Sequence, residues 1–436
     1  MPGISKRRLG KTAAWLLAFR FLQAGLAALI SLWLARTLGA EEYGQLGYGL
    51  VVSAFVLTFV NFGTDVTLVR DLVQSDDTAA TLTASTVQRL VLASCVSVGI
   101  VAWSCFFGSG PGNTWAVVIC AVWGVMGGLL PTAWYDYRYR MHHHAAIGFS
   151  EKILFAIAVV GLIGFFGKGN GAIVAAICLL ASRVVSFVVQ WGQTCLTFRP
   201  TTRNLRATLR SMSGANAWIF GAALTSLLIT HANQLVLRHE HGAAELAHFF
   251  LAFQVISLLQ LGQGQIARLL HPHVAELTTT RHSASSVRAR MVRYCAWSVL
   301  LTMPVVVLLA IFAPFLIRAC LTAEFEASIL PLRILCLWGL VFAPALVINA
   351  FLVGFRLNSH FLGVTVVVGM VSVVLGQLLI PQYGAAGVAT VLVLSQSLSV
   401  GIQWVLTSRK IQSLEARPVR DQVVAVGGFA ATAHYE

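Results

Sequence analysis

Arg20 and Arg183 lie inside long apolar stretches of the chain, where an ionised side chain is costly and rarely kept without a partner or a pathway. Arg20 is about seven residues into the first stretch and Arg183 about eight residues from the far end of the sixth, so at about 1.5 Å per residue both sit some 10–12 Å from one membrane edge. Arg183 heads a polar stripe with Ser186 and Gln190 on one helical face, and Arg20 shares its face with Gln23. A guanidinium presents a planar fork that matches phosphate oxygens, so the layer has the chemistry to hold a phosphorylated headgroup. Arginines that only snorkel to the interface or cap a carbonyl are the structural alternative. Asp65, at the inner end of the second stretch, has the depth to neutralise Arg20 or to titrate. In the seventh and eighth stretches Ser226, Thr230, His231, Asn233, Gln254 and Arg268 read as the wall of a wet cavity. The alternative is polar contact between helices, worth about 0.6 kcal/mol each. His231 is the second group that could titrate, although a structural histidine is the simpler reading.

Other chemistry fades. His142, His143 and His144 are adjacent, without the spacing of a built metal site, and read as a solvated loop. The eight cysteines contain no CxxC pair and read as small buried hydrophobes. No catalytic motif, metal site or cofactor is expected.

The elements that must position these groups are membrane helices. Of 436 residues, 57% are hydrophobic and 11% charged, which no water-soluble domain of this size could cover. Twelve apolar stretches of about 20 residues fit between residues 13 and 407, including 87–107, 147–166 and 294–316. Their continuous apolarity argues for helices over an outer-membrane barrel. Lys and Arg crowd into alternate loops, which makes both termini cytoplasmic. The net charge of +14 thus belongs to the inner face, and no nucleic-acid partner is expected.

The chain also repeats itself. At a shift of 213, Gly171, Ala172, Ala176, Ser186, Gln190 and Trp191 recur as Gly384, Ala385, Ala389, Ser399, Gln403 and Trp404, and Pro131 recurs as Pro344. At a shift of 203 the elbow Gly39-Ala40-Glu41-Glu42 recurs as Gly242-Ala243-Ala244-Glu245. The fold class is therefore an all-α polytopic membrane protein: twelve transmembrane helices in two six-helix lobes related by a parallel internal repeat. The expected divisions are an N-terminal lobe at 1–196, a basic cytoplasmic linker at 197–214, a C-terminal lobe at 215–407 and a cytoplasmic tail at 408–436. Glu41 and Glu42 read as favourable charges at the start of an outgoing helix. Pro131 and Pro344 are expected to kink corresponding helices.

Several segments, in order, carry a resemblance: Leu34-Ala35-Arg36-Thr37-Leu38-Gly39-Ala40-Glu41-Glu42-Tyr43-Gly44, then Asn61-Phe62-Gly63 and Arg70. In the second half they are Leu330 to Leu335, Phe351 to Arg356 and Leu379 to Gly387. With these the chain resembles the polysaccharide transporters and O-antigen flippases of the multidrug/oligosaccharidyl-lipid/polysaccharide exporter superfamily. The resemblance implies a bacterial inner-membrane flippase for undecaprenyl-diphosphate-linked oligosaccharide, so that the Arg20/Arg183 layer would meet a diphosphate. It implies as partners the lipid-linked oligosaccharide, membrane lipids, and the polysaccharide polymerase and glycosyltransferases of the same route. The alternatives are an ion-coupled multidrug antiporter of that superfamily, which would want an acidic lumen, and a membrane lipid-sugar glycosyltransferase, for which the loop around Glu41 and Glu42 is too short.

Overall fold

A computed structural model describes residues 6–75, 77–107, 114–138, 140–166, 170–198, 201, 205–279, 283–355 and 357–415. Among them the elements are helical: α1 (Lys6–Asn61), α2 (Thr64–Gln74), α3 (Thr78–Phe107), α4 (Thr114–Gly128), α5 (Thr132–Tyr137), α6 (Met141–Phe166) and α7 (Gly171–Cys195). There follow α8 (Leu205–Leu227), a π-helical turn (Leu228–Ala232), α9 (Asn233–Thr279), α10 (Ala284–Cys320), a 3-10 turn (Ala323–Ser328), α11 (Ile329–Gly354) and α12 (Asn358–Glu415).

Nine helical runs among the described residues are long and apolar enough to cross a membrane. Three of them, Leu17–Asn61, Asn216–Gly264 and His360–Ser413, hold 45, 49 and 54 residues, roughly twice what about 30 Å of hydrocarbon needs. Each contains a glycine at positive φ: Gly39 at 76°, Gly242 at 90° and Gly384 at 52°. Only glycine takes such angles without steric penalty, so these are built-in breaks. At each break the chain folds back. Ser31 Oγ lies 2.5 Å from the Tyr43 hydroxyl, and the His231 and Phe253 rings are 6.0 Å apart. A Cβ on Gly387 would lie 2.6 Å from the Leu379 carbonyl oxygen. Along straight helices these pairs would be about 18, 33 and 12 Å apart.

Several expected boundaries move outward. α3 begins at Thr78 rather than near 87, and α10 runs from Ala284 to Cys320 rather than 294–316, because polar, helix-forming turns carry each helix beyond the apolar band. α8 likewise starts inside the stretch taken as a linker. Residues 416–436 of the tail lie outside the described residues. The two prolines part company: Pro131 separates α4 from α5, whereas Pro344 lies within an unbroken α11.

The first-half helices α4, α6 and α7 gather on α1, and α10, α11 and α12 gather with α9. The halves meet chiefly where α1 packs on α9. A cluster of Tyr43, Phe250 and Phe325 crosses that seam, with ring centroids 5.8 and 6.1 Å from Tyr43. On the outside, Leu300, Leu301, Leu308, Ile311, Phe312 and Phe315 of α10 are exposed, an apolar surface suited to lipid rather than water.

Candidate functional site

Five of the expected site residues converge on one cavity. It has a volume of about 480 Å³ and is lined by Arg20, Gln23, Asp65, Arg183 and Gln190 together with His144, Glu151 and Lys152. α1, α2, α6 and α7 supply these side chains.

The stripe on α7 is a hydrogen-bonded column. Gln190 Nε2 donates to Ser186 Oγ at 3.0 Å, and Gln190 Oε1 lies 3.1 Å from His144 Nδ1. His144 is thus helical and part-buried, not in a solvated loop, because α6 begins six residues before the apolar run at 147. No group of three or more metal-ligating side chains occurs among the described residues. The repeated stripe in α12 keeps the column, with Gln403 Nε2 donating to Ser399 Oγ at 3.1 Å, while Gln396 stands where Arg183 stands in α7.

Arg183 is turned into the protein. Its Nη2 is 3.1 Å from Glu151 Oε1, and Glu151 is 5% exposed. Its guanidinium lies 4.3 Å from the centroid of the Trp123 ring, a cation–π geometry. Glu151 and Lys152 join the site although their only signal in the sequence is two opposite charges a turn inside the stretch 147–166.

Asp65 has a different partner from the expected one. Its Oδ1 accepts from Arg89 Nη2 at 2.8 Å and its Oδ2 from Asn61 Nδ2 at 2.7 Å. Arg89 also donates to Thr64 Oγ1 at 2.7 Å and to the carbonyls of Leu130 at 3.0 Å and Gly128 at 3.2 Å. The charge of Asp65 is therefore taken up by α3, and Arg20 is not needed to balance it.

A second chamber of about 550 Å³ adjoins the first, with Ala27, Leu57 and Lys152 lining both. It is bounded mainly by apolar side chains, among which Ser31, Ser53, Thr58, His231 and Gln254 are polar. Of the expected wet wall, His231 and Gln254 reach it. Thr230 Oγ1 bonds back to the Ser226 carbonyl, and buried Asn233 donates to Ser372 of α12 at 3.0 Å. Ser226, Thr230 and Asn233 line neither cavity. Ser186 is buried behind Gln190. The side chain of Arg268 lies outside the described residues.

Residues 33–330 match the family described as polysaccharide biosynthesis protein. No curated protein matches the sequence. Among solved structures, the lipid II flippase MurJ in an inward closed conformation is similar at a TM-score of 0.69 and 11% identity, over 97% of this chain and 93% of that one. An inward-facing multidrug resistance MATE family transporter of the MOP superfamily is similar at 0.66 and 16% identity, over 91% and 96%. A MOP superfamily transporter from Pyrococcus furiosus is similar at 0.62 and 14% identity, over 93% and 96%. At these identities the likeness is one of fold.

Proposed function

The chain belongs to the polysaccharide biosynthesis protein family, and from that premise we propose that it is an inner-membrane flippase that moves undecaprenyl-diphosphate-linked oligosaccharide from the cytoplasmic to the outer leaflet by alternating access. The observation that carries this reading is the charge of the inner cavity. With Asp65 held by Arg89, the ionisable groups facing it are Arg20, Lys152, Arg183 and Glu151, apart from His144. That balance suits an anionic headgroup.

Three hairpins at glycine breaks, added to the other apolar helices, support a reading of twelve crossings in two halves, as the repeat implies. Both termini are placed in the cytoplasm, where the loops are basic. The diphosphate enters at the Arg20/Arg183 layer and the glycan occupies the chamber between the halves, while the lipid tail stays in the bilayer. A multidrug antiporter draws support from the fold likeness to MATE transporters, but a cationic drug would meet the wrong sign of charge here.

Arg183→Ala leaves buried Glu151 without its counter-ion, so export is read per folded protein: the alanine variant is expected to abolish it, and Arg183→Lys to retain part of it, because the charge survives and the fork does not. Export measured by surface-polysaccharide staining in a strain lacking the native gene decides the point. Full export by the alanine variant would defeat the proposal.

A further inference from the structure

Arg183 is enclosed on three sides. Trp123 covers one face of the guanidinium, and Nη1 faces α4, 4.0 Å from where a Cβ on Gly127 would stand. Nη2 is held by Glu151. Nε is buried and has no hydrogen-bond partner among the described residues. A phosphate binds arginine most strongly through two parallel bonds from one edge. Nε and Nη2 form one such edge, and Glu151 holds its Nη2 half.

Charge points the same way. The cations Arg20, Lys152 and Arg183 line the inner cavity with Glu151, while Asp65 is held by Arg89. A diphosphate esterified at both ends, by lipid and by sugar, carries one negative charge on each phosphate and can meet two of these cations, Arg183 and Lys152. A monophosphate diester carries one and can meet only one.

We propose that Glu151 is a placeholder anion: it occupies Arg183 when no substrate is bound and yields Nη2 to one phosphate of an incoming diphosphate diester, while Lys152, which lines both cavities, takes the other. The inference rests on the reading of the chain as a carrier of diphosphate-linked glycan. It gives the carrier a means of release. A carboxylate that competes for the same donor weakens binding and, on returning to Arg183, helps to expel the headgroup, so the site does not trap its cargo.

The test uses the full-length protein in lipid nanodiscs, titrated calorimetrically with farnesyl-diphospho-N-acetylglucosamine and with its monophosphate counterpart. Glu151→Gln is expected to bind the diphosphate about tenfold more tightly than the wild type, which is about 1.4 kcal/mol. Lys152→Gln is expected to bind it more weakly and to lose the preference over the monophosphate. Should glutamine keep the protein from folding, by leaving Arg183 without a counter-ion, Glu151→Asp keeps the charge but withdraws it by one methylene and is expected to bind more tightly as well. A wild type that binds the diphosphate while these position-151 variants bind it no better overturns the placeholder role and leaves the carrier reading standing. A wild type that binds neither probe overturns the carrier reading itself.

Discussion

Arg89 serves four acceptors at once, and three of them mark interruptions of helices. Thr64 opens α2 after the break at Phe62 and Gly63, and the carbonyls of Gly128 and Leu130 flank the break before Pro131. The guanidinium thus satisfies carbonyls that have no helical donor and at the same time neutralises Asp65. Arg89→Gln is expected to cost roughly 3–5 kcal/mol of stability, read as a lower midpoint of thermal unfolding in detergent. Asp65→Asn is expected to cost a comparable amount, because it leaves Arg89, 6% exposed, without a counter-ion. The double variant is not expected to recover, since Thr64 Oγ1 and the Gly128 carbonyl still lose the donor that Arg89 supplies, while the Leu130 carbonyl keeps the Thr132 amide at 2.9 Å; recovery to the wild-type midpoint would reduce Arg89 to a counter-ion. At this scale the sequence was partly legible. An arginine deep in an apolar run announces itself, and Arg20 and Arg183 indeed share one cavity. Arg89 does not, because the apolar run begins near 87 while the helix begins about three turns earlier at Thr78. Glu151 and Lys152 escaped for the same reason, lying where hydropathy places the edge of a span.

Between residues and molecule, the duplication works through helix ends. Glu42 Oε2 accepts from the Ala172 amide at 3.2 Å, and Glu245 Oε1 accepts from the Ala385 amide at 2.9 Å. These are repeat-related residues joined by repeat-related bonds: each elbow carboxylate caps the N-terminus of a distant helix, where free amides and the helix dipole favour negative charge. The sequence shows both halves of the relation, Glu42 with Glu245 and Ala172 with Ala385, but it assigns the carboxylates to the start of their own helix, because pairing across the fold leaves no periodic trace. The glycines before the capped amides follow from the contact. A Cβ on Gly171 would run into Leu38 Cδ2 and lie 2.6 Å from Glu42 Oε2, and one on Gly384 would lie 2.6 Å from Glu245 Oε1. Gly384 alone of the two also has positive φ. Gly171→Ala and Gly384→Ala are therefore both expected to lower the thermal midpoint, the latter by a further 1–3 kcal/mol or so for backbone strain. Equal losses would show that displacement of the neighbouring side chains is the whole effect and backbone strain adds nothing.

The elbows also join the halves. The Ala40 amide of the first elbow donates to Glu324 Oε2 at 3.1 Å. The Glu324 carbonyl in turn lies 3.0 Å from His248 Nε2, whose Nδ1 is 3.1 Å from Glu245 of the second elbow. Beside this chain of bonds Gly44 touches the other half so closely that a Cβ would fall 1.9 Å from the Ala243 carbonyl oxygen. Composition declares a membrane protein and the repeat declares its two halves. Neither states where the halves close on each other, since a duplicated sequence encodes each unit and not the packing between units. The proposed alternating access requires this contact to part. A side chain at position 44 is incompatible with the closed arrangement and indifferent to an open one, so an overpacking cost of about 1–3 kcal/mol falls on one state and raises the open population roughly tenfold to a hundredfold. Ala54, which lines the second chamber, reports the result as a cysteine in a protein whose eight native cysteines are replaced by alanine. A membrane-impermeant maleimide added from the outer side is expected to label Ala54→Cys slowly when position 44 is glycine and at least tenfold faster in the Gly44→Val variant. Equal labelling rates at equal abundance would mean that the elbow contact is not the outer closure. Should valine lower abundance, Gly44→Ala adds only the Cβ, and the same acceleration is expected from it.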